Sequence, residues 1–133
     1  MADSMKSMIS MISHVSVPVR DLAASRRFYE AVLAVLGYRV VMDAGVHGVA
    51  YGAVLPEFWI GHALEGAPDP GNGVHVEFRA PDRAAVDLFH ATALELGASD
   101  AGAPGVRPHY DANYYGAFVR DPDGNKIEAM LIG

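Results

Sequence analysis

Two segments of the chain alternate apolar and polar residues with a period of two, which is the pattern of a half-buried β-strand. The first runs from Val15 to Val19 and the second from Val74 to Ala80. Each is followed by a segment in which apolar residues recur at helical spacing along one stripe. An aspartate precedes each helical segment and a glycine ends it, as helix caps do: Asp21 and Gly37 in the first, Asp82 and Gly97 in the second. The pattern therefore predicts a strand and then a helix in each half of the chain.

The two halves also repeat each other without a gap. A shift of 61 residues places His14 on His75, Asp21 on Asp82 and Phe28 on Phe89. Shorter strand-like segments follow each helix: 39–42, 49–55 and 57–60 in the first half, and 105–109, 114–120 and 125–132 in the second. A tight-turn sequence, Asp121-Pro122-Asp123-Gly124, joins the last two. We therefore predict an α+β fold of two tandem βαβββ modules.

Composition along the chain sets the expected boundaries of these modules. Residues 66–73 are rich in glycine and proline and predict a linker. Module one then spans about 12–65 and module two about 74–133, together forming a single domain. Residues 1–11 follow neither a strand nor a helix pattern, so we expect a disordered tail there.

Strand alternation sends three chemically distinctive side chains to the sheet face opposite the helices. If Val15 and Val17 face the helices, His14 faces away, and the same parity applies to His75 and Glu128. Two imidazoles and one carboxylate form a metal-ligand set that leaves coordination positions open for substrate. Taken singly, each histidine is more often hydrogen-bonded or solvent-facing, and Glu128 would be a routine edge charge. The equivalence of the two histidines under the repeat favours a shared site.

Composition and charge narrow the partners that the chain can have. It has 133 residues, a formal net charge of −6 and no cysteine. The absence of cysteine excludes thiolate metal sites and cysteine nucleophiles. An acidic chain with scattered Lys and Arg is unlike a nucleic-acid binder, and no apolar run reaches membrane-spanning length. We expect a cytoplasmic protein that binds a small molecule, with neither nucleic acid nor membrane as a partner.

Several sequence strings resemble the vicinal oxygen chelate superfamily, which includes glyoxalase I, fosfomycin-resistance enzymes, extradiol dioxygenases and bleomycin-binding proteins. The strings are His14-Val-Ser-Val-Pro-Val-Arg-Asp-Leu, Phe28-Tyr29, Gly73-Val-His75 and Asp121-Pro-Asp-Gly-Asn-Lys-Ile-Glu128. The resemblance implies cupped mixed sheets with helices on the outer face, enclosing one divalent metal ion held by His14, His75 and Glu128. It also implies a homodimer, whose site forms either between His14 of one chain and His75 and Glu128 of the other, or between the two modules of one chain. The ligand set tolerates zinc, nickel, manganese, iron or cobalt.

One position departs from the glyoxalase I pattern. That enzyme takes a fourth ligand, a glutamate, from the last strand of module one, where this chain has Trp59. Glu57 substitutes for it only if the strand register slips. The resemblance to glyoxalase I activity itself is therefore weaker than the resemblance to three-ligand transferases and ring-cleaving dioxygenases.

The remaining candidate residues would line a pocket or move protons. Glu57, Glu77 and Glu128 are candidate bases, although Glu77 pairs equally well with a neighbouring cation. Candidate substrate-binding residues are aromatic or basic: Trp59, Arg79, His109, Tyr110 and Tyr115. The tyrosine cluster has an equally good interpretation as sheet packing. His47, His62 and His90 lack a repeat partner and are expected to face solvent.

The sequence supports two candidate functions, which belong to different classes of protein. The first is a metal-dependent enzyme of the lyase or isomerase type, with transferase or ring-cleaving dioxygenase chemistry as variants, acting on a substrate that chelates through vicinal oxygens. The second is a metal-free binding protein of the bleomycin-resistance type, which captures a cationic aromatic compound beside Trp59.

Overall fold

A computed structural model describes residues 10–133, which form two four-stranded mixed sheets, each with one helix. This confirms the predicted fold of two βαβββ modules. Most of the predicted N-terminal tail, residues 1–9, lies outside the described residues. The first module contains β1 (Val15–Pro18), α1 (Leu22–Ala34), β2 (Arg39–Asp43), β3 (Val49–Gly52) and β4 (Phe58–Gly61), with a 3-10 turn at Gly45–His47. Its strand order is β1-β4-β3-β2, with β1 parallel to β4 and the other pairs antiparallel.

The second module repeats this topology. It contains β5 (His75–Arg79), α2 (Arg83–Glu95), β6 (Ser99–Val106), β7 (Tyr114–Arg120) and β8 (Lys126–Ile132), in the order β5-β8-β7-β6. The segment predicted as a strand at 105–109 was wrong, because β6 begins at Ser99 and ends at Val106. Its pairing with β7 shifts register twice, so the edge strand carries no clean alternation that a sequence pattern would reveal.

Both helices begin and end where the sequence predicts. The Asp21 carboxylate accepts a hydrogen bond from the Ala24 amide at 3.0 Å, and Asp82 accepts one from Ala85 at 2.8 Å. A glycine with positive φ follows each helix, Gly37 in the first module and Gly97 in the second. Each helix has 13 residues, and no helix of the described chain is long and apolar enough to cross a membrane.

Each sheet buries one face against the helices in a continuous core. Phe28 and Val32 of α1 and Phe89 of α2 belong to one cluster together with strand residues of both modules. Ile127 and Ala129 of β8 lie in this core, as the alternation predicts. We call the opposite face of each sheet the helix-free face. Because side chains alternate along a strand, every second residue of each strand points to that face.

The turn between β7 and β8 joins the two modules. Tyr29 of α1 donates a hydrogen bond to Asp121 Oδ2 at 2.5 Å, and both residues are buried. Asn125 donates to the same carboxylate at 3.0 Å and to the carbonyl of Pro18 at 2.9 Å. Burial raises the pKa of Asp121, although the hydrogen bonds from Tyr29 and Asn125 oppose it. The turn thus holds the first helix and strand against the second module.

We expect Tyr29→Phe to lower the free energy of unfolding by about 1–3 kcal/mol, because the buried Asp121 carboxylate loses a donor. Tyr115→Phe is the matched control, since its hydroxyl donates to Asp87 at an exposed position. Urea denaturation of both variants measures the difference. Equal losses in the two variants would contradict the assigned role of the Tyr29 hydroxyl.

Candidate metal centre

Three potential metal ligands converge on the helix-free face of the second sheet. One donor atom from each of His75, Glu77 and Glu128 lies within 4.8 Å of the others. The strands β5 and β8 are parallel neighbours, and their register places Glu77 directly beside Glu128. His75 precedes Glu77 by two residues, so strand alternation sends both to the same face. Adjacent strands of one sheet therefore assemble a nitrogen and two oxygen donors within a single chain.

Glu128 is fully buried in a central strand of the sheet. Its Oε2 accepts a hydrogen bond from the Tyr114 hydroxyl at 2.8 Å, while its Oε1 has no hydrogen-bond partner. Burial is the main cause that raises the pKa of Glu128 to about 8; the neighbouring Glu77 adds to the effect and Tyr114 opposes it. A buried carboxylate oxygen without a partner is costly, unless a proton or a cation occupies the position next to it.

Glu77 connects the other two ligands. Its Oε1 lies 2.9 Å from His75 Nε2, and its Oε2 lies 3.3 Å from the Tyr114 hydroxyl. Burial raises the pKa of Glu77, but hydrogen bonds with His75, Glu128 and Tyr114 outweigh that effect, so its net pKa is lowered. Glu77 is therefore the carboxylate that carries charge, whereas the neighbouring Glu128 retains its proton more readily.

Gly116 of β7 provides the space that the Glu128 carboxylate occupies. A Cβ atom added at this glycine would lie 2.7 Å from Glu128 Oε2 and 3.2 Å from the Tyr114 ring. A side chain at this position would displace the Glu128 carboxylate. The glycine thus allows the carboxylate and the tyrosine hydroxyl to meet above the strand.

The donor set fits a divalent cation on chemical grounds. Imidazole nitrogen and carboxylate oxygen bind zinc, manganese, iron, cobalt and nickel, and no thiolate is needed. The unpartnered Oε1 of Glu128 agrees with this donor set, because a coordinated cation, like a proton, would satisfy it. His75, Glu77 and Glu128 could therefore hold one such ion.

His14 lies apart from this group within the chain. It immediately precedes β1 of the first sheet, is exposed, and has its Nδ1 3.2 Å from the Ser13 hydroxyl. Among the described residues, it does not join the ligand atoms of His75 and Glu128. Within the described chain, His14 therefore adds no donor atom to this group.

The predicted site residues of module one, Glu57 and Trp59, lie next to or on β4. Trp59 is half-buried and pairs in the sheet with Ser16 and Ala50. Its neighbours Phe58 and Ile60 point into the core, so Trp59 points to the opposite face. Glu57 precedes β4 and is exposed. It lines a cavity of about 390 Å³ between the modules, together with His75, Glu77 and Arg79. Trp59 thus lies on the helix-free face.

The aromatic residues before the last hairpin divide between the two faces of the second sheet. His109, Tyr110 and Tyr114 form a continuous run, with ring centroids 4.1 Å and 5.0 Å apart. Tyr115 points the other way, and its hydroxyl donates to Asp87 of α2. The sequence groups Tyr114 with the other aromatic residues of this cluster, as a pocket wall or as sheet packing, without a role of its own. The alternation of side chains along β7 would have predicted the position of Tyr114, since Tyr114, Gly116 and Phe118 point to the same face.

The prediction for His90 was wrong. His90 of α2 is buried, and its Nε2 lies 2.9 Å from Asp100 Oδ1. The histidine occupies the inward side of the helix, where the acid on β6 satisfies its ring nitrogen. His47 and His62 are exposed, as expected.

Comparison with known proteins gives a consistent result. The family model of the Glyoxalase/Bleomycin resistance protein/Dioxygenase superfamily matches residues 11–129. A glyoxalase/bleomycin resistance protein from Albidiferax ferrireducens T118 is 35% identical, with a TM-score of 0.82 over 91% of this chain and 98% of that one. Lactoylglutathione lyase from Agrobacterium tumefaciens is 22% identical, with a TM-score of 0.63 over 91% and 92%. At this lower identity the likeness concerns the fold alone. No curated protein sequence matches the chain.

The raised pKa of Glu128 predicts how the stability of the metal-free protein depends on pH. The folded state binds the Glu128 proton more tightly than the unfolded state, whose pKa is about 4.3. This contribution is complete below the unfolded pKa and is lost as pH rises through about 8. In EDTA, we expect the melting temperature to fall by several degrees between about pH 5 and pH 9.

Glu128→Gln tests this assignment, because the amide cannot ionise and should flatten the pH dependence. Glu57→Gln, which removes an exposed carboxylate, is the control and should keep the dependence of the original chain. Thermal denaturation at intervals of one pH unit measures all three proteins. An undiminished pH dependence in Glu128→Gln would show that another group is responsible.

Proposed function

The chain belongs to the glyoxalase/bleomycin resistance protein/dioxygenase superfamily, and from this premise we propose that it is a metal-dependent enzyme of the glyoxalase-like type. Its substrate is a small molecule that chelates a divalent ion through vicinal oxygens. The observation that carries the proposal is the convergence of His75 and Glu77 on a buried Glu128 with an unpartnered Oε1. A buried carboxylate with an unpartnered oxygen is costly unless a cation or a proton satisfies it.

His75 and Glu128 are the ligands that the sequence and the geometry both favour. His14 is the third ligand of the proposal, and it comes from the partner chain of a homodimer. Glu77 lies close enough to serve as a further ligand or as a base beside the ion. When bound, a divalent ion supplies Lewis-acid stabilisation of negative charge on the substrate oxygens.

The chain's own residues divide the remaining tasks. The Tyr114 hydroxyl orients Glu128 by donating to Oε2, which leaves Oε1 free to face the ion. The Glu77 carboxylate is the base that accepts a proton from the substrate: it is ionised at neutral pH, and its lowered pKa makes it a weaker base than an ordinary glutamate. Trp59 offers a flat apolar wall on the helix-free face of the other sheet.

Proton transfer beside a chelated substrate is the chemistry of a lyase or isomerase. Glu77 supplies a carboxylate for it without requiring Glu57 to enter the site. Transferase and ring-cleaving dioxygenase reactions use the same three-ligand centre, and substrate trials separate these classes from one another.

A second candidate function is supported by Trp59 and the net charge of −6. Trp59 is only half-buried although it is the chain's one tryptophan, and it occupies the face on which a glyoxalase I ligand would stand. A large, partly exposed aromatic side chain in an acidic protein suits the capture of a cationic aromatic compound. In this case the protein binds its ligand without metal or turnover.

Metal binding distinguishes the two candidates. We expect the protein to bind one divalent ion per chain, and we expect His75→Ala and Glu128→Gln each to weaken the affinity by roughly 100-fold or more. His62→Ala removes an exposed histidine and is the control. Competition with a chromogenic chelator measures the affinities.

The same titration tests the role of His14. We expect His14→Ala to weaken metal binding and dilution of the dimer to weaken it in parallel. If the affinity does not change with protein concentration, then the ligands come from one chain. If neither His75→Ala nor Glu128→Gln affects metal binding, the proposed centre is refuted.

Trp59 fluorescence tests the alternative function. For the enzyme, we expect quenching by a catechol to require a divalent metal and to disappear in EDTA. A binding protein would instead show quenching by a cationic aromatic compound that EDTA leaves unchanged. Trp59→Phe identifies the signal, because it removes the chain's one tryptophan.

A further inference from the structure

The connection between β4 and β5, residues 62–74, contains an Asn-Gly pair on the protein surface. Asn72 and Gly73 are both exposed, and only Val74 separates them from His75, the first residue of β5. In such a pair the backbone nitrogen of the glycine can attack the asparagine side chain easily, because glycine has no Cβ atom to hinder the approach. Asparagine is a thermolabile residue in proteins. The pair is therefore a candidate site of spontaneous chemical modification.

The attacking nitrogen, that of Gly73, is free of hydrogen bonds to any of residues 10–133. The nearby Gly71 differs, since its amide donates to Asp69 Oδ1 at 2.8 Å. Gly73 has a φ of +97°, and a Cβ atom added to it would meet no other atom within 4 Å. The space around this nitrogen is thus open to water.

The asparagine at position 125 is protected by contrast. Asn125 is buried, and its side-chain nitrogen donates both to the Pro18 carbonyl at 2.9 Å and to Asp121 Oδ2 at 3.0 Å. These two bonds hold the side chain away from the backbone nitrogen that follows it. Ring closure here requires the turn between β7 and β8 to open first.

The third asparagine of the chain, Asn113, is exposed but is followed by a buried tyrosine. The amide of Tyr114 donates to the Asp111 carbonyl at 3.1 Å. The nitrogen that would attack Asn113 is therefore engaged in a hydrogen bond, and a large side chain hinders it. Of the three asparagines, Asn72 alone has an exposed side chain followed by an amide that is unhindered and has no acceptor among the described residues.

The Asp123-Gly124 pair shows how the fold protects a similar sequence. Aspartate can close the same ring as asparagine, with loss of water instead of ammonia. The Gly124 amide, however, donates to the Asp121 carbonyl at 2.8 Å, and Asp123 Oδ1 accepts from the Arg20 amide at 3.0 Å. The turn holds both reacting groups in place, whereas no described residue holds those of Asn72 and Gly73.

We propose that Asn72 is a site of spontaneous deamidation in the folded protein. The Gly73 nitrogen forms a bond to Cγ of Asn72, and its proton leaves with the side-chain nitrogen as ammonia, which gives a cyclic succinimide. Water then opens the ring at either of its carbonyl carbons, and the product is aspartate or isoaspartate. No metal ion, substrate or redox partner takes part, so the site is independent of the proposed metal-dependent function.

The modification changes the chain next to the start of β5. Both products add a negative charge to a chain whose formal net charge is already −6. Isoaspartate also lengthens the main chain by one carbon atom, because the backbone then runs through the former side chain. Val74 is 62% exposed, whereas His75 is held in register beside Lys126 of β8. The added length therefore falls on the connection rather than on the strand.

Peptide mapping of the full-length chain during incubation at neutral pH tests the proposal. We expect products to accumulate at position 72 at least about 10-fold faster than at positions 113 and 125, where the fold must open first. Chromatography separates aspartate from isoaspartate, and isoaspartate identifies the route through the ring. Absence of products at position 72, or aspartate without isoaspartate, overturns the proposal.

Two variants assign the products to one residue. We expect Asn72→Gln to abolish them, because the longer side chain would have to close a larger ring. Asn113→Gln makes the same change at the other exposed asparagine and should leave the rate at Asn72 unchanged. Isoaspartate that forms equally in Asn72→Gln would overturn the assignment.

The same incubation in guanidinium chloride separates the effect of the fold from that of the Asn-Gly sequence. We expect the rate at Asn72 in the folded chain to lie within about 3-fold of the rate in the unfolded chain, because the fold gives no protection there. Folding should slow the reaction at Asn125 by about 10-fold or more. If folding slows the reaction at Asn72 as strongly as at Asn125, the proposal is overturned.

Discussion

A carboxylate enclosed in a central strand is the constraint around which the second sheet is built. Glu128 is excluded from water, and only one of its two oxygens has a hydrogen-bond donor. Leaving such a group unsatisfied costs several kcal/mol in an apolar interior, so its neighbours must compensate. Tyr114 donates a hydrogen bond to it, and Gly116 leaves the space that it occupies. The neighbouring Glu77 raises its pKa and so favours its protonated form. Each neighbour makes sense only in relation to that buried carboxylate.

The alternation of apolar residues was sufficient to predict most of the fold. The helix caps at Asp21 and Asp82 and the parity of β8 follow from local rules, because each depends on residues close in sequence. The strand β6 does not follow from such rules. Its residues Ser99–Val106 include glycine and proline and pair with β7 through two register shifts, so their extended conformation is imposed by the neighbouring strand.

For the candidate metal centre, the sequence could predict only which face of the sheet each side chain points to. Parity placed His75 and Glu128 on one face, and the structure brings them together with Glu77. Parity gives no distances between side chains, so from the sequence alone Glu77 is only a candidate base or the partner of a cation. Tyr114 and Tyr115 were likewise indistinguishable by composition, although they face opposite sides of the same strand. His90 was misplaced because its partner Asp100 lies on the irregular strand.

The bond between Tyr29 and Asp121 also constrains the order in which the chain can fold. The two residues are 92 positions apart, and the Asn125 contact with Pro18 spans 107. During synthesis, helix α1 leaves the ribosome long before the hairpin that completes its packing exists. Until then, part of the apolar surface of the first module stays exposed to water. Contacts between residues so far apart in sequence form slowly, which slows folding. The internal repeat produces two similar halves that nevertheless depend on a single late event.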